Sequence, residues 1–199
     1  IQLNIHTEVF GVELTFKTSE KLFSYKGADK GTLFMLNKCN INKDDIILDL
    51  GCGYGLVGIS CAKIAKEENI IMCDNDPLAV QYAKINSQLN NVSNVTVIQS
   101  DAYESIDRDD FTLILSNPPY HADFSVPKRF IEQGYKKLIP EGRMLMVTKR
   151  LEWYKKKFIS VFGGVKIFRM DDYFVFLGIK SSDLKIKKNK NINIQQEIS

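Results

Sequence analysis

The chain has little cysteine, only two histidines and a single tryptophan among its 199 residues. Its four cysteines, Cys39, Cys52, Cys61 and Cys73, show no CxxC spacing and sit inside core-like patterns. That argues against a zinc framework or a disulfide scaffold. Small buried thiols, no bound metal and a reducing cytoplasm are expected instead. No apolar run approaches the roughly 18 residues that would span a membrane, so no membrane partner is expected. No charged-then-apolar leader opens the chain. His6 has no motif around it, no repeat recurs, and no linker marks a second domain. The chain begins at Ile1, not Met, which leaves a native start upstream open.

What is present is ordinary globular material, 44% hydrophobic and 26% charged, enough for one domain with a sizeable core. Net charge is +3, but unevenly spread. Residues 1–127 carry a net −7, residues 128–157 a net +7, and residues 158–199 a net +3. The basic middle segment, with Lys128, Arg129, Lys149 and Arg150, suits a polyanion such as RNA, although solvated helix faces would look similar. Residues 1–180 are expected to form the domain, with 1–40 as an extension. Residues 181–199, rich in Lys, Asn and Gln and without aromatics, are expected to be a mostly disordered basic tail.

The organising stretch is Ile46 to Gly58, IILDLGCGYGLVG. An apolar run ends in Asp49, the glycines Gly51, Gly53 and Gly55 follow, and Leu56, Ile59, Ala62 and Ile64 then repeat at helical spacing. Strand, tight turn and helix make the first crossover of a doubly wound α/β domain. The spacing is D-x-G-x-G-x-G, not the G-x-G-x-x-G of dinucleotide folds. An acid before the first glycine would repel a pyrophosphate and suits a ligand with a cationic head. The pattern resembles the S-adenosylmethionine (SAM) site of class I methyltransferases.

Loose alternation from Ile1 to Tyr25 predicts a small β-hairpin or two short strands laid on the main domain. Asp29 is a candidate N-cap for a helix running to about Cys39. Strands are expected at Ile70–Cys73, Val95–Gln99, Phe111–Leu115, Arg143–Thr148, Val165–Phe168 and Tyr173–Ile179. Helices are expected at Pro77–Leu89, about Val126–Leu138, and Glu152–Phe162, with a turn at Pro140-Glu141-Gly142. Alternating strands and helices closed by a hairpin predict a mainly parallel sheet with one antiparallel strand.

Three acids stand at successive strand ends, Asp49, Asp74 and Asp101, on the edge where α/β folds bind ligands. Asp74 is expected to take the ribose hydroxyls, beside Asn75. Asp76 is a rival that could simply cap the next helix. Asp101 could accept from an adenine amino group, and Ala102 could lend its N–H. At the end of the fourth strand stands Asn117-Pro118-Pro119-Tyr120. The Asn117 side-chain oxygen and the Pro118 carbonyl are two acceptors that can hold the N–H groups of a planar amine and aim it at a methyl group. Pro118 and Pro119 stiffen the loop, and Tyr120 can stack on a base swung out of its helix. His121 follows and could touch substrate.

These residues together, FSYKGADKGT, DLGCGYGLVGI, Asp74, SNPPYHAD and RFIEQGYKKL, resemble the methyltransferase small domain family, over roughly Phe10 to Lys180. The resemblance implies a SAM-dependent, seven-stranded Rossmann-like enzyme with helices on both faces. Its best-known members methylate guanine N2 of small-subunit ribosomal RNA. By match, Asp49, Gly51, Cys52, Gly53, Gly55, Asp74, Asn75, Asp101, Ala102 and Asn117 would line the SAM site. Phe23, Lys26, Asp29, Gly31 and Thr32 of the leader motif would lie over the cofactor. The implied partner is ribosomal RNA or a ribosomal subunit, met by a monomer or homodimer. Three departures stand out. Tyr120 replaces an apolar residue or Phe and is more usual in adenine-N6 and glutamine-N5 enzymes. The segment ADFSVP replaces a glycine-lysine segment. Some members carry a further N-terminal domain, which 199 residues are too few to hold. An adenine-N6 RNA enzyme, a protein glutamine methyltransferase and a SAM-binding scaffold remain alternatives.

Overall fold

The computed structural model describes residues 1–120, 123–182 and 192–196. Strands β1 (Gln2–Val9) and β2 (Val12–Ser19) pair antiparallel around Phe10-Gly11. Both turn residues have positive φ, 55° and 73°, which matches the twist of a tight hairpin. Asp29 then caps helix α1 (Lys30–Lys38), its carboxylate accepting the Thr32 N–H at 2.8 Å.

The main sheet follows from β3 (Ile47–Leu50), β4 (Ile70–Asp74), β5 (Thr96–Gln99), β6 (Phe111–Ser116), β7 (Leu138–Thr148), β8 (Val165–Met170), β9 (Tyr173–Ile179) and β10 (Ile192–Gln196). Between them run α2 (Leu56–Cys61), α3 (Pro77–Leu89), α4 (Ser125–Lys137) and α5 (Glu152–Phe162). The strand order is β10-β8-β9-β7-β6-β3-β4-β5, and only β9 runs against its neighbours. Reversal of the order between β4-β5 and β6-β7, on either side of β3, opens a crevice at the strands' carboxyl ends.

Strand alternation sorts the core into two layers. Ile47, Met72, Leu113 and Val147 face α1, α2, α3 and the hairpin. Leu48, Cys73, Ile114 and Met146 face α4 and α5, where Ile131, Phe158 and Phe162 pack. Burial of each large apolar side chain contributes about 1.5–3 kcal/mol. Among the described residues, no helix is long and apolar enough to cross a membrane.

The hairpin, helix and strand expectations hold with small shifts, and three details differ. Helix α2 ends at Cys61, and Ile64 lies beyond it, 38% exposed, in a turn closed by its N–H to the Cys61 carbonyl. The expected turn at Pro140-Glu141-Gly142 is an irregularity within β7, where pairing with β6 jumps from Leu138 to Arg143. Finally, Ile192–Gln196, within the stretch expected to lack structure, pairs in parallel with β8. Strand β8 offers an open edge, and the Ile-x-Ile alternation of the segment suits it. The remainder, 183–191 and 197–199, lies outside the described residues.

The hairpin is held to α3 by side chains that imitate a strand. The Asn86 amide accepts the Lys17 N–H (2.7 Å) and donates to the carbonyls of Lys17 (2.8 Å) and Tyr54 (2.7 Å). Asn90 repeats the exchange with Thr15. Asn86 is fully buried, so its removal orphans three backbone groups. Asn86→Ala should destabilise the fold by about 3 kcal/mol, read as a lower denaturant midpoint with unchanged slope.

Candidate active site

The crevice is a cleft of about 1000 Å³ whose floor is built by the end of β4. The Cys73 carbonyl accepts both the Gly51 N–H (2.9 Å) and the Cys52 N–H (2.8 Å). One Asp74 oxygen accepts the Gly53 N–H at 2.9 Å, and the other accepts the Asp76 N–H at 3.0 Å. Asp76 in turn caps α3 through the Leu78 N–H. Asp74 is thereby locked at the cleft wall, each oxygen keeping a lone pair for a ligand hydroxyl, whereas Asp76 has the capping role. The chain turns here with φ of 72° at Gly51 and 54° at Gly53. Nothing stands within 4 Å of where a Gly53 Cβ would lie, so a ligand can approach the bare backbone.

Asp49 lies beneath the loop, 2% exposed, and accepts the Gly58 N–H at 2.8 Å. A Cβ on Gly58 would collide with Met72, so the glycine lets α2 settle onto this carboxyl group. Burial pushes Asp49 up from 3.8 to about 7, against the Gly58 hydrogen bond and with help from the Asp74 charge. Burial likewise pushes the Cys73 thiol up to about 12 and raises Cys52, so neither is a thiolate nucleophile near neutrality.

At the far end, Asp101 is paired with Arg129 of α4. The guanidinium donates to the Asp101 carboxylate (2.8 Å), the Asp101 carbonyl (3.0 Å) and Glu104 (3.1 Å). Arg129, expected to face RNA, closes the rim over Asp101 instead. Ala102 holds a φ of 49°, and its carbonyl accepts the Ser100 hydroxyl at 2.7 Å.

Asn117, Pro118, Pro119 and Tyr120 leave the end of β6 along the same cleft. The Asn117 amide nitrogen donates to Asp29 (3.2 Å) and to the Thr32 hydroxyl (3.0 Å), both at the start of α1. Tyr120 is 80% exposed at the mouth. Arg150 lies 5.5 Å from the Tyr120 ring and 3.8 Å from the Phe124 ring, and Phe124 stacks on Trp153 at 4.5 Å. Lys149 pairs with Asp172 at 3.3 Å and stands over the Tyr173 ring.

Most expected site residues therefore meet in one cleft, namely Asp49, Gly51, Cys52, Gly53, Asp74, Asn75, Asp101, Ala102, Asp29, Thr32 and Asn117 to Tyr120, with Arg129, Lys149 and Arg150 at its rim. Others stand apart. Gly55 packs behind the loop, where a Cβ would meet Ile59 at 2.9 Å. Gly31 faces the Tyr173 ring, Lys26 stands over Tyr25, and Lys128 is exposed on α4. His121 lies outside the described residues. Phe23, expected with the leader motif over the cofactor, stands 70% exposed at the rim, whereas Phe124, which packs against Arg150 beside the cleft, has no counterpart among the expected site residues. Nothing local in the sequence marks Phe124.

Comparison with known proteins gives the same picture. The profile of the methyltransferase small domain family matches residues 13–177. Ribosomal RNA large subunit methyltransferase G of Alteromonas mediterranea is 27% identical over 180 residues, covering 84% of this chain and 44% of the relative. A provisionally named protein N5-glutamine methyltransferase of Methanocaldococcus jannaschii is 35% identical over 120 residues, covering 60% of this chain and 51% of the relative. The chain thus spans about half the length of these curated relatives. The solved 16S ribosomal RNA N2 methyltransferase of T. thermophilus, in complex with AdoMet and guanosine, superposes with a TM-score of 0.82. It is 22% identical, over 90% of this chain and 51% of that one, a likeness of fold.

Asp49 carries a pH signature. Its carboxyl group binds its proton more tightly in the folded than in the unfolded chain, so its contribution to stability falls as pH rises from about 4 to about 7 and then levels off. Asp49→Asn keeps the acceptor for Gly58. Denaturation across that range should show the variant gaining on the parent as pH rises and running parallel to it above about pH 7.

Proposed function

The chain belongs to the methyltransferase small domain family, and from that premise we propose that it is a SAM-dependent N-methyltransferase acting on an exocyclic amine of an RNA base, with guanine N2 of ribosomal RNA as the leading target. The observation that carries the reading is the joining, in one cleft, of a glycine cradle with strand-end acids and the Asn117-to-Tyr120 loop.

The cleft fits SAM in its shape and donor set. The bare backbone at Gly51 and Gly53 leaves room a Cβ would fill, Asp74 presents two anchored carboxylate oxygens, and the Asp49 carboxyl group lies beneath. SAM supplies an electrophilic methyl group on a sulfonium: the amine nitrogen bonds to the methyl carbon, the carbon–sulfur bond breaks, S-adenosylhomocysteine departs, and the amine's proton passes to water. The protein's contribution is positional. Asn117 Oδ1 and the Pro118 carbonyl accept the two N–H groups and hold the nitrogen lone pair in line. Tyr120, exposed and flanked by Arg150, offers a face on which an extruded base stacks.

The basic segment supports an RNA partner in a narrower form than its net charge suggests. Lys157 pairs with Glu132, Lys155 with Glu152, and Lys137 donates to the Ile106 carbonyl. Phosphate contacts are assigned to exposed Lys128 and, by their place at the cleft, to Lys149 and Arg150, with Lys149 exchanging Asp172 for a phosphate. The likeness to an N5-glutamine enzyme, which also fits Tyr120 after the prolines, keeps a protein substrate as the second reading.

Labelled methyl from SAM, offered to total RNA and total protein of cells lacking this gene product, decides between them. Label in ribosomal RNA is expected; label in protein alone would transfer the assignment to glutamine. Asn117→Ala should leave SAM affinity within about threefold while turnover falls about a hundredfold or more. Lys149→Ala should weaken RNA binding and reduce its log–log salt slope by about one.

A further inference from the structure

Carboxamide oxygen and nitrogen are interchangeable in shape but opposite in chemistry. An acceptor role for Asn117 requires the oxygen, not the nitrogen, to face the cleft. In this structure the choice is made by α1. The Asp29 carboxylate oxygen that accepts the Thr32 N–H (2.8 Å) and the Thr32 hydroxyl (3.1 Å) also accepts from Asn117 Nδ2 (3.2 Å). With its own proton given to Asp29, the Thr32 oxygen is free to accept from the same nitrogen at 3.0 Å. Both amide hydrogens are thereby committed to α1. The inverted amide would press Oδ1 against a carboxylate.

We propose that Asp29 and Thr32 are positioning residues that set the polarity of the Asn117 side chain, so that Oδ1 is the atom presented to the amine being methylated. The proposal rests on the reading of Asn117 as an amine acceptor. It also assigns a purpose to Gly31. A Cβ there would lie 2.5 Å from the Tyr173 ring and 3.1 Å from the Asp29 carboxylate, so only glycine lets α1 seat Asp29 here. The negative charge of Asp29 further polarises the amide and strengthens Oδ1 as an acceptor.

The test is a reciprocal swap. Asn117→Asp sets two carboxylates against each other, whereas the double variant D29N/N117D removes one of the two charges, keeps an acceptor for the Thr32 N–H and frees the Thr32 hydroxyl to donate to the new carboxylate at position 117. Asn remains a good helix cap in place of Asp29. Each variant is measured for thermal midpoint, SAM affinity by calorimetry, and kcat. N117D should lose thermal stability and fall about a hundredfold in kcat, and the double variant should regain at least about tenfold of that loss together with the midpoint. Thr32→Val, which removes the acceptor and keeps the shape, should lower kcat about tenfold, a larger effect than its change in SAM affinity. A double variant as impaired as N117D in both readouts overturns the proposal. A recovered midpoint without recovered kcat also overturns it, because the contact would then be structural only. Methyl transfer to protein and not RNA overturns the RNA assignment alone, and the swap is then read on the protein substrate. Absence of transfer to either fraction by the unaltered protein overturns the methyltransferase reading and the positioning role with it.

Discussion

The carboxyl end of β4 is the constraint on which the site depends. One carbonyl, that of Cys73, and one carboxylate, that of Asp74, accept the first three N–H groups of the glycine loop. The loop cannot satisfy these donors internally, and its positive-φ residues have no regular partner strand. Tying them to the neighbouring strand fixes the turn and, in the same act, anchors the acid that faces the cleft. The site is thus an outgrowth of sheet register, since the pairing of β3 with β4 decides which residue of β4 meets the loop.

Two helices extend that frame from opposite sides. Helix α3, begun by Asp76, reaches through Asn86 to the Tyr54 carbonyl inside the glycine loop and to β2 of the hairpin. The hairpin and the cradle therefore share one buried amide. Helix α1 reaches the other way, from Asp29 and Thr32 to Asn117 at the end of β6. The amino-terminal extension is part of the cleft by construction, because its first helical turn holds the Asn117 amide at the end of β6.

Charge is distributed with similar economy. Several cations of the basic segment are matched to local carboxylates or carbonyls, which lowers the cost of crowding them and leaves the rim of the cleft as the exposed positive ground. At that rim Arg150 lies against Phe124 and near Tyr120, presenting a guanidinium and a ring side by side. Arg129 turns inward to Asp101 and shapes the cleft wall. Net charge per segment therefore overstates the surface available to a polyanion.

Much of this was legible in the chain alone. Hydrophobic period, capping residues and prolines placed β3, β4, β6, α3 and α5 within a residue or so of their observed bounds. The glycine cradle, the acids at strand ends and the Asn117-to-Tyr120 loop were visible because each is contiguous and its chemistry depends on residue type and spacing. Tertiary structure alone decided which way side chains turn and what they meet. The Asn117 amide is oriented by a carboxylate 88 positions earlier, Asn86 completes a strand edge 69 positions away, and Arg129 swings 28 positions back to Asp101. Local propensity carries no information about such pairings. They arise when packing brings distant polar groups together in a space where leaving one unsatisfied is costly.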